Sequence, residues 1–327
     1  MWVCVSDPFD VKLIALKIMG IEACKGLTFE DVQIRLREKI DGKKYLLVLD
    51  DVWNENHYNW LKLRDILMGG SMGSKILVTT RTELVANVTR ANSSYILEGL
   101  SEMESWSFFK QLAFKQGEES ENPCRVIMGK EIVKKCKGVP LAIKAIGSLL
   151  YSKDTDAEWL LFKNNDLLKI AQEEDVILPI LKLSYDHLPS NLKRCFAFCS
   201  LYLKDEKISK RELIKLWVAN GFIQLGYENQ QLEDVGELYF MNLLRRSLFQ
   251  DVGRDKWGDI ISCKMHDLVH DLAQSVTRLE NSTLNSGAEN VTERSRHMSF
   301  VYRVNSLFEI PTHMMRANKL RTFILKN

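Results

Sequence analysis

Glycine and proline are scarce in this chain. Seventeen glycines and six prolines among 327 residues exclude a collagen-like or linker-dominated protein and favour helices. Long apolar runs are missing too. The longest, such as 141–150, fall short of a bilayer crossing, and Lys144 interrupts that one. The amino terminus, Met1-Trp2-Val3-Cys4-Val5-Ser6-Asp7, has neither the basic region nor the long apolar segment of a secretory signal. Seven cysteines are an odd number with no framework spacing. Reduced thiols are therefore expected, in a cytoplasmic or nucleo-cytoplasmic protein. The glycosylation sequons at Asn87, Asn92, Asn281 and Asn290 then read as chance matches. An excess of one charge is lacking as well: 45 Lys+Arg stand against 43 Asp+Glu, a net charge of +2. That balance speaks against a strongly electrostatic partner, nucleic acid or membrane.

Two phosphate-binding signatures are also absent. Nowhere does G-x-x-x-x-G-K-[ST] occur, and no G-x-G-x-x-G replaces it. No local context links serine, histidine and aspartate, or cysteine and histidine, into a nucleophile. What is present is ordinary for a packed protein: 46% hydrophobic and 27% charged residues, in a chain long enough for two or three domains.

Two periods alternate through residues 1–100. Trp2–Val5, Tyr45–Leu49, Lys75–Thr79 and Tyr95–Leu97 are short apolar runs that predict strands. Phe9–Cys24, Phe29–Ile40, Trp60–Met68 and Glu83–Val88 carry helical spacing between them. Continuous rather than alternating strands predict a parallel sheet covered on both faces. Helices then dominate, at Ser105–Gln116, Arg125–Cys136, Pro140–Leu150, Glu158–Leu168 and Val176–Tyr185. The second of these ends in Lys134, Lys135 and Lys137 before Gly138, a basic last turn followed by a C-cap glycine. Pro140 then suits a first helical turn. After Pro189 come helices at Leu192–Cys199, at 209–220 behind a Ser209…Glu212 capping box, and at Leu232–Arg246. A hairpin of Leu248–Val252 and Ile260–Lys264 precedes a helix at His266–Val276, which suggests a winged-helix unit. Residues 280–292 are polar and read as a linker. Leu320–Leu325 has the L-x-x-L-x-L shape of a leucine-rich repeat strand.

Three places carry chemistry. Leu46–Asp51 is an apolar strand ending in two acids, which sets carboxylates at the carboxyl edge of a parallel sheet. There Asp50 can hold Mg²⁺ through water and Asp51 can orient or deprotonate a water; the alternative is a plain acidic turn. Arg81 follows the Lys75–Thr79 strand and can reach a terminal phosphate, or serve as a surface arginine. His266 opens a helix and can touch a phosphate, or cap that helix. Cys195/Cys199 and His266/His270 are both i, i+4 pairs that could hold zinc, although such residues on apolar helices are more often core.

In this order, Val3–Ser6, Leu46–Trp53, Gly73–Arg81, Gly138–Ala142, Cys195–Tyr202 and Met265-His266-Asp267 resemble a known family. It is the nucleotide-binding module of plant disease-resistance proteins, the nucleotide-binding leucine-rich-repeat immune receptors of the coiled-coil (non-TIR) class. The resemblance implies an α/β parallel-sheet P-loop-type nucleotide domain, incomplete, over 1–100. A helical domain over 101–188 and a winged-helix domain over 189–278 follow, with a linker and the start of leucine-rich repeats over 279–327. The whole is mostly α. It also implies an ADP/ATP-dependent switch of the STAND group, a slow NTPase serving plant defence. Asp50 matches the Mg²⁺-associated acid, Asp51 the catalytic second acid and Arg81 the arginine that reads the terminal phosphate. Pro140 matches the proline near adenine and His266 the histidine on the ADP β-phosphate. Partners implied are a pathogen effector or guarded host protein, reached through the repeats, and further copies of the chain on activation.

Two departures stand out. Leu203 occupies a position where the family usually has proline. The match also begins at the family's second sheet strand, without the coiled coil, the first strand or the P-loop lysine. In the family that first strand lies between the strands at Tyr45–Leu49 and Lys75–Thr79. Without it, backbone groups there are expected to lack partners, at about 1–3 kcal/mol each. A partial or impaired switch is the expectation. A working STAND/AAA-like ATPase and a winged-helix nucleic-acid binder are the alternatives, the latter on Lys207, Lys210, Arg211 and Lys215, offset by Glu206 and Glu212.

Overall fold

The computed structural model describes the chain apart from residues 6–8, 22–25, 116, 118–121, 167–176, 226–229, 278–279, 285–291, 302–317 and 327. Met1–Leu97 lie in one compact unit, and the described residues from Glu98 on lie in a second.

The first unit is a three-stranded parallel sheet with β1 (Trp2–Cys4), β2 (Leu46–Asp50) and β3 (Lys75–Val78) in that order. Its helices are α1 (Val11–Met19), α2 (Phe29–Ile40), α3 (His57–Leu67) and α4 (Glu83–Thr89). Asp10 starts α1 by accepting the Lys12 and Leu13 N–H groups, and Gly20 stops it at φ 75°. The helix is therefore shorter than Phe9–Cys24, although 22–25 lie outside the described residues. Thr28 and Asp31 start α2 with a reciprocal capping box. Val3, Val5, Leu47 and Leu49 pack with Ile14, Val32, Leu36 and Leu63 in the unit's core.

Three expectations for this unit are corrected. Among the described residues the core of this unit lies on one face of the sheet, with Val48 buried on the other. Trp2, Leu46 and Leu77 alternate with the core residues and stay 68%, 57% and 54% exposed. Secondly, β2 and β3 pair directly, from Leu46↔Lys75 to Leu49↔Val78, so no gap with unpaired backbone lies between them. The two edges satisfy each other's hydrogen bonds. Thirdly, Tyr95–Leu97 form no strand, and all three side chains are exposed. An apolar, β-prone triplet becomes a strand only where a ladder partner is available.

The second unit opens with α5 (Glu102–Ala113), α6 (Pro123–Lys135), α7 (Pro140–Leu150), α8 (Asp156–Leu161) and a π-helical turn at Phe162–Asp166. Phe109, Phe114 and Trp159 meet there edge-on or tilted, with centroids 5.2 to 6.4 Å apart. Arg125 on α6 is buried, its Nε 2.8 Å from Asp156 Oδ1. Between α6 and α7, Gly138 adopts φ 73°, and a Cβ there would lie 2.5 Å from the Leu100 carbonyl oxygen. Only glycine fits that turn. It delivers Pro140 to the first position of α7.

Next come α9 (Ile177–Asp186), α10 (Ser190–Phe198), β4 (Ile208–Ser209), α11 (Lys210–Ala219), α12 (Leu232–Arg245), β5 (Gln250–Arg254), β6 (Ile260–Lys264) and α13 (Asp267–Thr277). The antiparallel sheet β4-β6-β5 behind three helices is a winged-helix arrangement. Trp217 is buried in it and donates from its indole nitrogen to the Cys195 carbonyl at 3.1 Å. The chain then makes a parallel sheet of β7 (Asn281–Leu284), β8 (His297–Val301) and β9 (Thr322–Lys326). The expected linker at 280–292 is thus a strand over 281–284; residues 285–291, with the Asn290 sequon, lie outside the described residues. Among the described residues no helix is long and apolar enough to cross a membrane.

Candidate functional site

The register of β2 and β3 places the end of one beside the end of the other. Leu49 faces Val78, so Asp50 and Asp51 emerge next to Thr79. Asp51 takes the left-handed conformation, φ 55°, which aspartate tolerates better than most residues. Its backbone N–H donates to Thr79 Oγ1 at 2.8 Å, and the same hydroxyl donates to Asp50 Oδ1 at 2.5 Å. Thr79 also donates its own N–H to the Leu49 carbonyl at 3.0 Å and accepts the Val52 N–H at 2.9 Å.

Arg81 lies in the turn between β3 and α4, just before Thr82, whose side chain caps α4 through the Val85 N–H. Its Nε stands 3.4 Å from Asp51 Oδ1, and its guanidinium lies over the Trp53 ring, 4.9 Å from the centroid. Two acids, a cation and an aromatic face thus converge at the carboxyl edge of a parallel sheet, where ligands of such sheets bind. The acids suit a hydrated divalent cation and the arginine suits a phosphate. Asp50, Asp51 and Arg81 are brought together. Thr79 and Trp53 were not singled out as site residues. A threonine at the end of an apolar run looks like one more strand residue, and nothing local shows its partner at 50.

Pro140 and His266 belong to the second unit. Pro140 is exposed at the start of α7. His266 immediately precedes α13 and is half-buried; its Nδ1 accepts the Leu268 N–H at 3.2 Å. That bond assigns the proton of the neutral ring to Nε2. The ring therefore caps α13, and Nε2 is a donor beside the positive end of an 11-residue helix.

The zinc alternative is not supported. Among the described residues no group of three or more His, Cys, Asp and Glu could hold a metal ion. Burial raises the Cys195 thiol and, most strongly, the Cys199 thiol far above the usual range, and pushes Cys263 up to about 12. His270 donates from Nε2 to the Tyr202 carbonyl at 2.7 Å, and burial lowers its pKa. These are core residues.

Two family models match the chain: the NB-ARC domain over residues 1–119 and the disease resistance protein winged helix domain over residues 201–273. The putative disease resistance protein RGA4 of Solanum bulbocastanum is 44% identical over 91% of this chain. Disease resistance protein RGA2 of the same species is 42% identical over 90%. Arabidopsis thaliana has a putative disease resistance RPP13-like protein 1 that is 35% identical over 99%. The chain spans 30%, 30% and 31% of those three relatives. Among solved structures, a signal transduction ATPase (STAND) with a tetratricopeptide repeat sensor from Pyrococcus horikoshii covers 85% of this chain. That match has a TM-score of 0.46 and 17% identity and takes in 37% of the archaeal chain. Residues 1–119 belong to the NB-ARC family and residues 201–273 to the winged-helix domain of disease resistance proteins, in a chain homologous to plant disease resistance proteins.

Proposed function

We propose that this chain is the ADP/ATP-dependent switch segment of a plant intracellular immune receptor, cytoplasmic or nucleo-cytoplasmic. The observation that carries this is the joining of Asp50, Asp51 and Arg81 at one sheet edge, inside the NB-ARC match. Asp50 would hold Mg²⁺ through water, Asp51 would orient the attacking water, and Arg81 would read the terminal phosphate. Pro140 would pack near adenine, and His266 Nε2–H would donate to an ADP phosphate. The nucleotide supplies the charge that biases one of two states of the receptor. Asp50 and Arg81 fit such a group. The G-x-x-x-x-G-K-[ST] signature of the backbone N–H cradle that grips phosphates does not occur in residues 1–327.

Isolated 1–327 is therefore expected to bind ADP weakly and to turn over no ATP. Titration calorimetry giving a micromolar or tighter affinity overturns the impaired-switch reading. Metal-dependent ATP hydrolysis abolished by Asp51→Ala would install the working-ATPase alternative instead. The nucleic-acid alternative is weakened by geometry: Lys210, one of its four basic residues, lies 2.8 Å from Glu237 Oε1. Effector or host-protein recognition through repeats, and oligomerisation on activation, belong to this same proposal.

A further inference from the structure

Thr79 holds four consecutive residues of the acidic turn. Its N–H donates to the Leu49 carbonyl, its hydroxyl donates to the Asp50 carboxylate, and its hydroxyl and carbonyl accept the Asp51 and Val52 N–H groups. Two of these bonds are backbone bonds that any residue at 79 could make. The other two need a hydroxyl that donates and accepts at once. They reach the two acids and nothing else in the turn. One acid has a carboxylate oxygen taken by the hydroxyl; the other is held through its backbone N–H at φ 55°, the conformation in which its carboxylate faces Arg81 at 3.4 Å.

We infer that Thr79 is a positioning residue of the nucleotide site: its hydroxyl divides the acidic pair, keeping Asp50 on the strand end and turning Asp51 towards Arg81. Serine would serve and valine would not, although valine fits the same volume. A valine at 79 keeps both backbone bonds but leaves the Asp51 N–H without its acceptor. Asp51 is then free to relax out of the left-handed conformation, and its carboxylate drifts from Arg81. What the pair does for a phosphate rests on the nucleotide reading above; the division of the pair by Thr79 does not.

The test uses 1–327 as the parent chain, with Thr79→Val and Thr79→Ser, and reads amide and arginine Nε–H exchange by NMR without any nucleotide. Thr79→Val should accelerate exchange of the Asp51 amide by about fivefold or more, in keeping with one lost hydrogen bond. The Arg81 Nε–H should accelerate with it, whereas the Val52 amide, which bonds to the Thr79 carbonyl, should hold its rate within about twofold. Thr79→Ser should return the Asp51 and Arg81 signals to parent rates. An unchanged Asp51 amide in Thr79→Val overturns the inference. So does equal acceleration at Val52, which would mean the turn has opened as a whole, or an Arg81 Nε–H that does not respond. Because no nucleotide is present, failure here leaves the nucleotide reading standing, and tight ADP binding or its absence leaves this result standing.

Discussion

Among the described residues, Arg81 and Lys326 each sit over an aromatic ring and beside a carboxylate, and their surroundings differ. Arg81 lies 4.9 Å from the Trp53 ring centroid and 3.4 Å from Asp51, with 35% of its side chain exposed. Lys326 lies 4.0 Å from the Tyr202 ring and 2.5 Å from Glu206, with 8% exposed. Burial lowers the Lys326 pKa although Glu206 acts to raise it, so desolvation outweighs the attraction. Glu206 is committed twice, since it also accepts the Leu203 N–H at 2.6 Å. That is the site where the family's usual proline would have no N–H to offer. The acidic partners are about equally exposed; the cations are not. Lys326 closes a joint between β9 and the winged-helix block. Arg81 stays within reach of solvent, as its proposed role on a phosphate requires.

The largest expected effect tests the buried member. Glu206→Ala strands the Lys326 charge and should cost about 3 kcal/mol in denaturant unfolding, with β9 amides losing protection. Replacing both partners by apolar residues, Glu206→Leu with Lys326→Met, should cost less than Glu206→Ala alone. A loss below about 1 kcal/mol for the single change would erase the contrast with Arg81.

A second break of the same joint is by pH. His297 on β8 is buried, edge-on to Phe198 and Phe222 at 5.2 and 5.8 Å, and its Nδ1 donates to Thr322 Oγ1 at 3.1 Å. Thr322 passes its own hydrogen to Asn220 Oδ1 at 2.8 Å, which fixes the direction of the chain of donors. Burial, with Arg321 and Arg296 adding to it and Glu280 opposing, brings the His297 pKa down from 6.5 to about 4. The folded pKa is depressed, so between those values the unfolded chain holds the extra proton and stability falls as pH falls. His270, also lowered by burial, acts in the same direction. About 2–3 kcal/mol should be lost from pH 6.5 to 4 through His297 alone, and His297→Gln should flatten that part of the profile. A slope unchanged by His297→Gln would assign the acid sensitivity elsewhere.

These two regions also mark what could be seen in the chain beforehand. Leu46–Asp51 announces a strand ending in acids, because an apolar run that stops on two aspartates has few other uses, and the structure puts them at a sheet edge. Helix limits such as Ser209 and Gly138 were legible because caps and left-handed glycines act locally. Pairings were not. Whether β2 meets β3, whether Tyr95–Leu97 finds a ladder, and whether Asn281–Leu284 is linker or strand depend on edges far away in sequence. Lys326 shows the same limit for charge. A lysine near the end of a strand reads as solvated, and only the fold brings Tyr202 and Glu206, 120 residues earlier, around it. Thr79 was hidden for that reason too.

The smallest effect is the one that defines the site. Arg81→Ala should change unfolding free energy by no more than about 0.5–1 kcal/mol, the range for exposed pairs. The 3.4 Å separation is long for a charge-assisted bond, and solvent screens it. Stacking on Trp53 adds about 0.5–1 kcal/mol at an exposed position, and Trp53→Ala should fall in the same small range. Denaturant titrations of both variants at low and moderate salt measure this, and the Arg81 effect should shrink as salt rises. A loss above about 2 kcal/mol would make Arg81 a second Lys326, a structural cation with no freedom to leave Asp51 for a phosphate. A near-neutral result leaves the pair weak enough that a phosphate, with more charge and more acceptor oxygens than one carboxylate, can take the guanidinium from it.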